Sequence, residues 1–579
     1  MNLRTILRCS IPFLFSAYGW AAGGACPSGA NYINPASPAG PLVALASLGV
    51  TNCYYVAANG SDANPGTSES SPWLHAPGMP SATGNAASVW KATMAAGAGI
   101  ILRGGDTWHE GNSGASPYTG GTWGFNNSPG PAGTSSNPIY VGVDPTWFSG
   151  SSFARPILTW DNPTTTSTTL SSCSYPSGNV VDFDGGGWFI FDDMELTGVC
   201  ANSSNWNPIY VSYGSMSGGA YFERLYLHGS SHVGFPNPNN CTANSTCMSA
   251  FRGGVSSGGP PYDVFLFDVM DFSDSDPVPM EGCYCGAWEV AYSYFSGYSQ
   301  FITRPPGDHL IHDNQFVNFV DNGHANVLES VGDSSGVNAN YNNIYAHLYV
   351  SSATTSNVGF WLQPPVGTTD YFFNNLIWDA GPMEFFNIGQ NGSNQGTISI
   401  FNNGMQFNHR TDGGADTFSC SATGNADPWS AANNQYITSD TSSMWAANCS
   451  GKGTDTTSLL MSNSTAQTDN YISAQSYVYS PTSSSSPTVG KGTNEQAFCS
   501  ALATAAAADS SLSDAATACQ SDTRYGVVYN SSNHTVSTPG RVPNSRPGST
   551  AWDIGPYEYS NSISPAAPTN AKANAVPQN

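Results

Sequence analysis

Four ionisable or amide side chains recur at matching places in successive apolar runs: Glu281, Arg304, Glu329 and Gln363. If those runs are stacked strands, neighbouring positions lie ~4.8 Å apart. Arg304 would then sit between two carboxylates. Such a set could hold a sugar hydroxyl or an acid group and position a general base. It would also separate two carboxyls by about two strand spacings, which suits an inverting hydrolysis. The alternative is a surface ladder in which Arg304 neutralises its Glu neighbours and contributes little.

A second set surrounds the first in HLIHDNQFVNFVDNGHANVLES: His309, His312, Asp313, Asp321 and His324. Imidazole moves protons near neutral pH, and Asp321 three residues before His324 could orient its ring. His and Asp are also ordinary corner residues. A third set, Asp268, Asp271, Asp274 and Asp276 just before Glu281, is either a solvated acidic turn or an oxygen-rich Ca²⁺ site, although no EF-hand spacing is present. Aromatic rings in the same stretch fill a core at alternating strand positions, while Tyr298 and Trp361 are candidates for sugar contact.

These residues need a repetitive scaffold, and from about Trp188 to His409 the chain supplies one. WFIFDDMELTG, YFERLYLHG, VFLFDVMDFSD, YFFNNLIWDAG and ISIFNNGMQFN each read as a strand followed by a turn. Val, Ile, Phe and Tyr at period two suit pleated strands, and Gly, Asn and Pro interrupt each run. Asn314, Asn374, Asn375, Asn402 and Asn403 can take tight corner conformations and hydrogen-bond from coil to coil. Each run is one coil of a solenoid. The longest interval encloses the Cys241 to Pro261 loop, and long loops on one side of a solenoid commonly build its binding face.

Composition agrees with a turn-rich β chain. Only 9% of the 579 residues are charged, against roughly 25% in an average soluble protein, which excludes a long helical bundle or coiled coil. The 39% hydrophobic and 12% aromatic content can fill a sizeable core. The balance of 15 basic against 39 acidic residues argues against a phosphate-tracking surface, and nucleic acid is not expected as a partner.

Residues 1–21 have the form of a cleaved secretion signal, with Arg4 and Arg8 before an apolar run and small residues at its end. Its loss takes the formal charge from −24 to −26. No segment carries the ~18 apolar residues of a membrane span. A lead-in (22–52), a β domain (53–560) and a disordered tail (561–579) follow. Cys9 leaves with the signal, and the twelve remaining Cys of an exported chain point to disulfides. Pairing sequence neighbours gives Cys26 with Cys53, Cys173 with Cys200, Cys241 with Cys247, Cys283 with Cys285, Cys420 with Cys449, and Cys499 with Cys519. A cross-pairing among Cys241, Cys247, Cys283 and Cys285 is the alternative, because one intervening residue strains a bridge.

Three segments resemble secreted proteins of the pectate-lyase-like superfamily, which are right-handed parallel β-helices. CYYVAANGSDANPGTSESSPW (from Cys53) is similar to their opening strand and turn. GIILRGGDTW (from Gly99), after a short capping helix around residues 86–96, is similar to their first coil. WDIGPYEY (from Trp552) resembles their closing motif, with Pro556 where Ala is more usual. The resemblance implies the fold over residues 53–559 and leaves the activity open, since the superfamily holds lyases, hydrolases, epimerases and non-catalytic members.

The Gly-His-Gly element of polygalacturonase-like members is broken here at Gly323-His324-Ala325. Lyases of this fold generally use Lys or Arg, and no Lys lies between Lys91 and Lys452, so a lyase would rely on Arg304 with bound Ca²⁺ or a His. The expectation is a secreted β-helix protein acting on extracellular polysaccharide by hydrolysis or β-elimination. Glu281, Arg304, His324 and Glu329 would be its catalytic groups, with Tyr298, Trp361, Gln363, His312, Asp313 and Asp321 around the substrate. A non-catalytic glycan-binding, adhesive or structural surface protein is the competing class.

Overall fold

The computed structural model describes residues 23–560 except 93, 126–132, 165–169, 176, 184–186, 203–208, 213–217, 234–247, 254–262, 275–279, 285–286, 298–299, 304–308, 320–325, 332–335, 350–357, 365–366, 382–383, 389–395, 408–417, 421–428, 439–443, 446 and 472–477. In parts of some strands, including those of Glu281, Cys283 and Glu329, the backbone alone is described.

Apolar residues at period two build three long sheets in which every ladder pair is parallel. Sheet A has thirteen strands, from Asn52–Val56 to Gly453–Thr456. Sheet B has twelve, from Thr107–His109 to Leu459–Met461, and sheet C has ten, from Trp123–Gly124 to Phe418–Cys420. One coil visits all three: Phe189–Asp192 in A, Glu195–Thr197 in B and Ile209–Ser212 in C, before Ala220–Glu223 returns to A beside Phe189. The architecture is a parallel β-helix, as the sequence implied. Its interior is filled by rings stacked at the coil spacing: Phe222 on Phe265 at 5.0 Å, and Phe360, Phe386 and Phe418 at 5.2 and 5.0 Å.

The corner between sheets A and B is built the same way in coil after coil. One residue takes a left-handed conformation, among them Asp193, Arg224, Tyr292, Asp313, Asn342, Asn374 and Asn402, all with φ between 53° and 57°. The next residue stacks. The backbone N–H groups of Asn314, Asn343, Asn375 and Asn403 donate to the side-chain oxygens of Asn343, Asn375, Asn403 and Asn434 at 2.9–3.1 Å. Their amide nitrogens donate back to strand carbonyls, as Asn343 does to Ile311 at 2.8 Å. The ladder continues through Ser293 to Asp268, whose buried carboxyl accepts from the Leu225 N–H at 2.8 Å. The corner asparagines therefore divide into two roles. Asn374 and Asn402 turn the chain, while Asn314, Asn375 and Asn403 link the coils.

Helices stay outside this frame. The expected capping helix is α1 (Gly84–Ala92), and Ser462 caps the short α2 (Asn463–Thr468) by accepting from the Thr465 N–H. The Ala-rich stretch near the C-terminus forms two helices, α3 (Gln496–Ala508) and α4 (Ser513–Cys519), broken where Asp509 leaves the helical region and its carboxylate accepts from the Ser511 N–H. Both pack on sheet A, with Leu502, Leu512 and Ala515 against Tyr341, Phe373 and Phe401.

The chain then returns along the A–B corner toward the first coils. Gly526 N–H binds the Asn342 carbonyl, and the Asn533 carbonyl accepts from Arg155. A hairpin, Val528–Asn530 with Thr535–Ser537, ends this return. The lead-in reaches the same corner: the Asn31 carbonyl accepts from Arg224, and Ile33 packs with Leu266 and Val527. The closing motif locks the last coil, as Asp553 accepts from the Gly490 and Tyr559 N–H groups and Glu558 pairs with the buried Arg546.

Four disulfides form as neighbour pairing expects: Cys26–Cys53, Cys173–Cys200, Cys420–Cys449 and Cys499–Cys519. Cys241, Cys247 and Cys285 lie outside the described residues, as do the leader and the tail. Among the described residues, no helix is long and apolar enough to cross a membrane.

Candidate functional site

Sheet C presents one row that differs from the rest of the barrel. The buried residues Val211, Phe251, Leu328, Phe360, Phe386 and Phe418 stack into the core. The next position along each strand carries Ser212, Arg252, Tyr284, Thr303, Glu329, Trp361, Asn387 and Ser419, paired in that order. Arg252, Trp361 and Asn387 are half-buried, and each therefore keeps a face to solvent. An indole and polar groups at Arg252, Trp361 and Asn387, on strands spaced at ~4.8 Å, can contact an extended polymer.

The register corrects the alignment of the four leading residues. Glu329 shares its row with Thr303 and Trp361, but Glu281 pairs with Ser249 and Gln300 in another. Gln363 pairs with Val331, two positions beyond the row. Glu281 and Glu329 are therefore two coils and three strand positions apart, which puts their backbones roughly 14 Å from each other at ~4.8 Å per coil and ~3.3 Å per residue. Arg304 follows Thr303 directly in the chain and, like His324, Asp321 and Tyr298, lies outside the described residues. An odd slip exchanges the two faces of a strand, so matching charged residues by type alone does not fix the register.

His312 and Asp313 sit at the A–B corner rather than on sheet C. His312 is buried, with Nδ1 2.7 Å from Asp313 and Nε2 3.0 Å from Glu289. Burial alone would lower its pKa, but the two carboxylates outweigh it and hold the imidazole up at about 9. Arg524 closes the cluster, donating to Asp313 at 3.0 and 2.6 Å and to Asp514 at 3.0 and 2.5 Å. Burial would raise the Asp514 carboxyl, and the Arg524 guanidinium drives it well below its ordinary range instead.

His312, Asp313 and Asp514 form the one metal-compatible grouping among the described residues. Arg524 already supplies the positive charge there. Nothing local in the sequence signals this cluster, because Arg524 and Asp313 are 211 residues apart.

The acidic set is drawn apart. Asp268 belongs to the corner ladder, and burial raises its pKa well above the usual carboxylate range. Asp271 accepts from the Tyr529 hydroxyl at 2.8 Å. Asp274 pairs with His228 at 2.8 Å and accepts from the Gly229 N–H. These three carboxylates have three different partners and do not converge on a point where Ca²⁺ could bind. Asp276 lies outside the described residues.

No protein-family model matches the chain, and no curated protein matches it either. Among solved structures it is similar to the pectate lyase Pel9A at 14% identity, covering 89% of this chain and 98% of that one with a TM-score of 0.41. A rhamnogalacturonan lyase matches at 12% identity over 70% of this chain and 87% of its own, with a TM-score of 0.36. A GH136 lacto-N-biosidase from Eubacterium ramulus matches at 9% identity over 71% and 68%, with a TM-score of 0.32.

Proposed function

We propose that this chain is a secreted, carbohydrate-active β-helix protein that binds an extracellular polysaccharide along sheet C and cleaves it there. The observation that carries this reading is the row of half-buried Arg252, Trp361 and Asn387, in register with the Glu329 backbone. Trp361 offers an aromatic face to a sugar ring, and the flanking polar groups suit hydroxyls. Four disulfides support an oxidising compartment. The acidic balance, −24 over the whole chain, favours a neutral glycan over a polyuronate.

Glu329, in register with Thr303 and Trp361, is the carboxylate we assign to the chemistry, with Arg304 as the partner expected from the sequence. Glu281 is less well suited as the second carboxylate, since inverting pairs stand only about 6.5–9.5 Å apart. In a hydrolysis, Glu329 would act as general acid or base, with Arg304 tuning it. In a β-elimination, Arg304 or His324 would take the proton next to a uronate carboxyl.

The test is a panel of neutral and acidic polysaccharides incubated with purified protein, with and without Ca²⁺. Release of new reducing ends without the ultraviolet absorbance of an unsaturated product identifies a hydrolase, and both together identify a lyase. Saturable binding with neither signal identifies a glycan-binding protein. Absence of binding and cleavage across the panel overturns the reading.

A further inference from the structure

The lead-in, the first corners and the C-terminal hairpin line an open cleft of about 860 Å³ on the side of the solenoid that carries the A–B corner. Ile33, Leu42, Phe267 and Val536 give it apolar walls, while Arg155 and His534 bring polar atoms to it. Its size falls in the range of small-molecule sites, roughly 300–1,000 Å³.

His534 is held in a defined state. The Tyr529 hydroxyl has one proton and donates it to Asp271 at 2.8 Å, so toward His534 Nδ1, also at 2.8 Å, it can only accept. Nδ1 therefore carries the imidazole proton, and Nε2 is left as a bare acceptor with no partner among the described residues. The ring stacks on Tyr226 at 4.1 Å, and the opposite face of Tyr226 carries His228 at the same distance. Burial lowers the pKa of His534, which keeps it uncharged at neutral pH, whereas His228, between Glu195 and Asp274, is held up at about 9.

Charge around the cleft is already matched. Arg155 pairs with Asp193 at 3.0 Å and Arg224 pairs with Asp192, with Glu195, Asp271 and Asp274 beyond them. Carboxylates outnumber the cations, so an anion would enter against the local field.

We propose that this cleft is a second ligand site, separate from sheet C, which takes an uncharged, hydroxyl-rich molecule of one or two sugar rings and receives a ligand hydroxyl on His534 Nε2. The apolar walls cover the ring carbons. The preset tautomer of His534 gives the site an acceptor that does not have to reorganise on binding.

Saturation-transfer NMR on the full chain, in a Trp361→Ala background that removes the indole from sheet C, tests this with free glucose, galactose and galacturonate as probes. The neutral sugars are expected to bind, and galacturonate to bind several-fold more weakly. His534→Phe keeps a ring on Tyr226 but removes the acceptor, and is expected to weaken neutral-sugar binding about tenfold. Should that variant misfold by near-ultraviolet circular dichroism, Leu42→Trp at the cleft wall is expected to give the same loss from a half-exposed position. No transfer to either neutral sugar, unchanged binding in the folded variant, or equal binding of galacturonate overturns the proposal.

Discussion

The A–B corner and the sheet C row are built from the same coils, yet they use their polar residues in opposite ways. At the corner every side chain of the Asn ladder is buried and bonded to the next coil, and the ion cluster above it joins His312, Glu289, Asp313, Asp514 and Arg524. On sheet C, Arg252, Trp361 and Asn387 keep faces to solvent at the same coil spacing. Polar groups buried in the ladder hold the solenoid together, whereas Arg252, Trp361 and Asn387 stand half-buried at the surface. Substitutions in the two regions should therefore separate into loss of stability and loss of activity.

The largest effect is expected at Glu329. Glu329→Gln should lower polysaccharide turnover by about 10²–10⁴-fold while leaving the melting temperature within a few degrees. Retained turnover would remove Glu329 from the chemistry and blunt the comparison.

Arg524→Ala should do the reverse, lowering stability by about 3 kcal/mol in denaturant titrations with kcat unchanged. This is the low end for breaking a buried pair, because Asp514 is 42% exposed. The same clasp predicts a pH dependence. His312 has its pKa raised from 6.5 to about 9, so its stabilisation is complete below pH ~6.5 and is lost as pH rises through ~9. Melting temperatures of the wild type and His312→Gln should therefore converge above that pH, and a constant gap between them would show that the charge is not what holds the clasp.

Asn375→Ala strips the Asn343 N–H of its acceptor and the Asn340 carbonyl of its donor, and should cost about 2 kcal/mol. The smallest effect is expected from Trp361→Ala, about tenfold in polysaccharide affinity at unchanged stability. A large stability loss there would mean that the indole is core and not binding surface.

Much of the corner was legible in the sequence. Paired asparagines after period-two apolar runs have few other uses, and Asn374-Asn375 and Asn402-Asn403 fall where the solenoid needs a turn and a link. The neighbour pairing of Cys26, Cys173, Cys420 and Cys499 held because each bridge joins segments 20 to 29 residues apart that pack side by side. The sheet C row was less legible. Its strands are short and the steps between them unequal, so the row that holds Trp361 and Glu329 emerges only from the ladder register. The ion cluster was beyond reach for a different reason: no local pattern links Asp313 to an arginine 211 residues later.

The returning C-terminal segment also sets an order of events in synthesis. The hairpin that rests on Tyr226 and Arg155 is made some three hundred residues after the coils it covers. The early coils can wind as they emerge, but their outer corner stays uncovered until the last tenth of the chain arrives. Completion of the molecule is thus registered at its beginning, and a prematurely terminated chain would expose its first coils to proteases while its later coils were correctly wound.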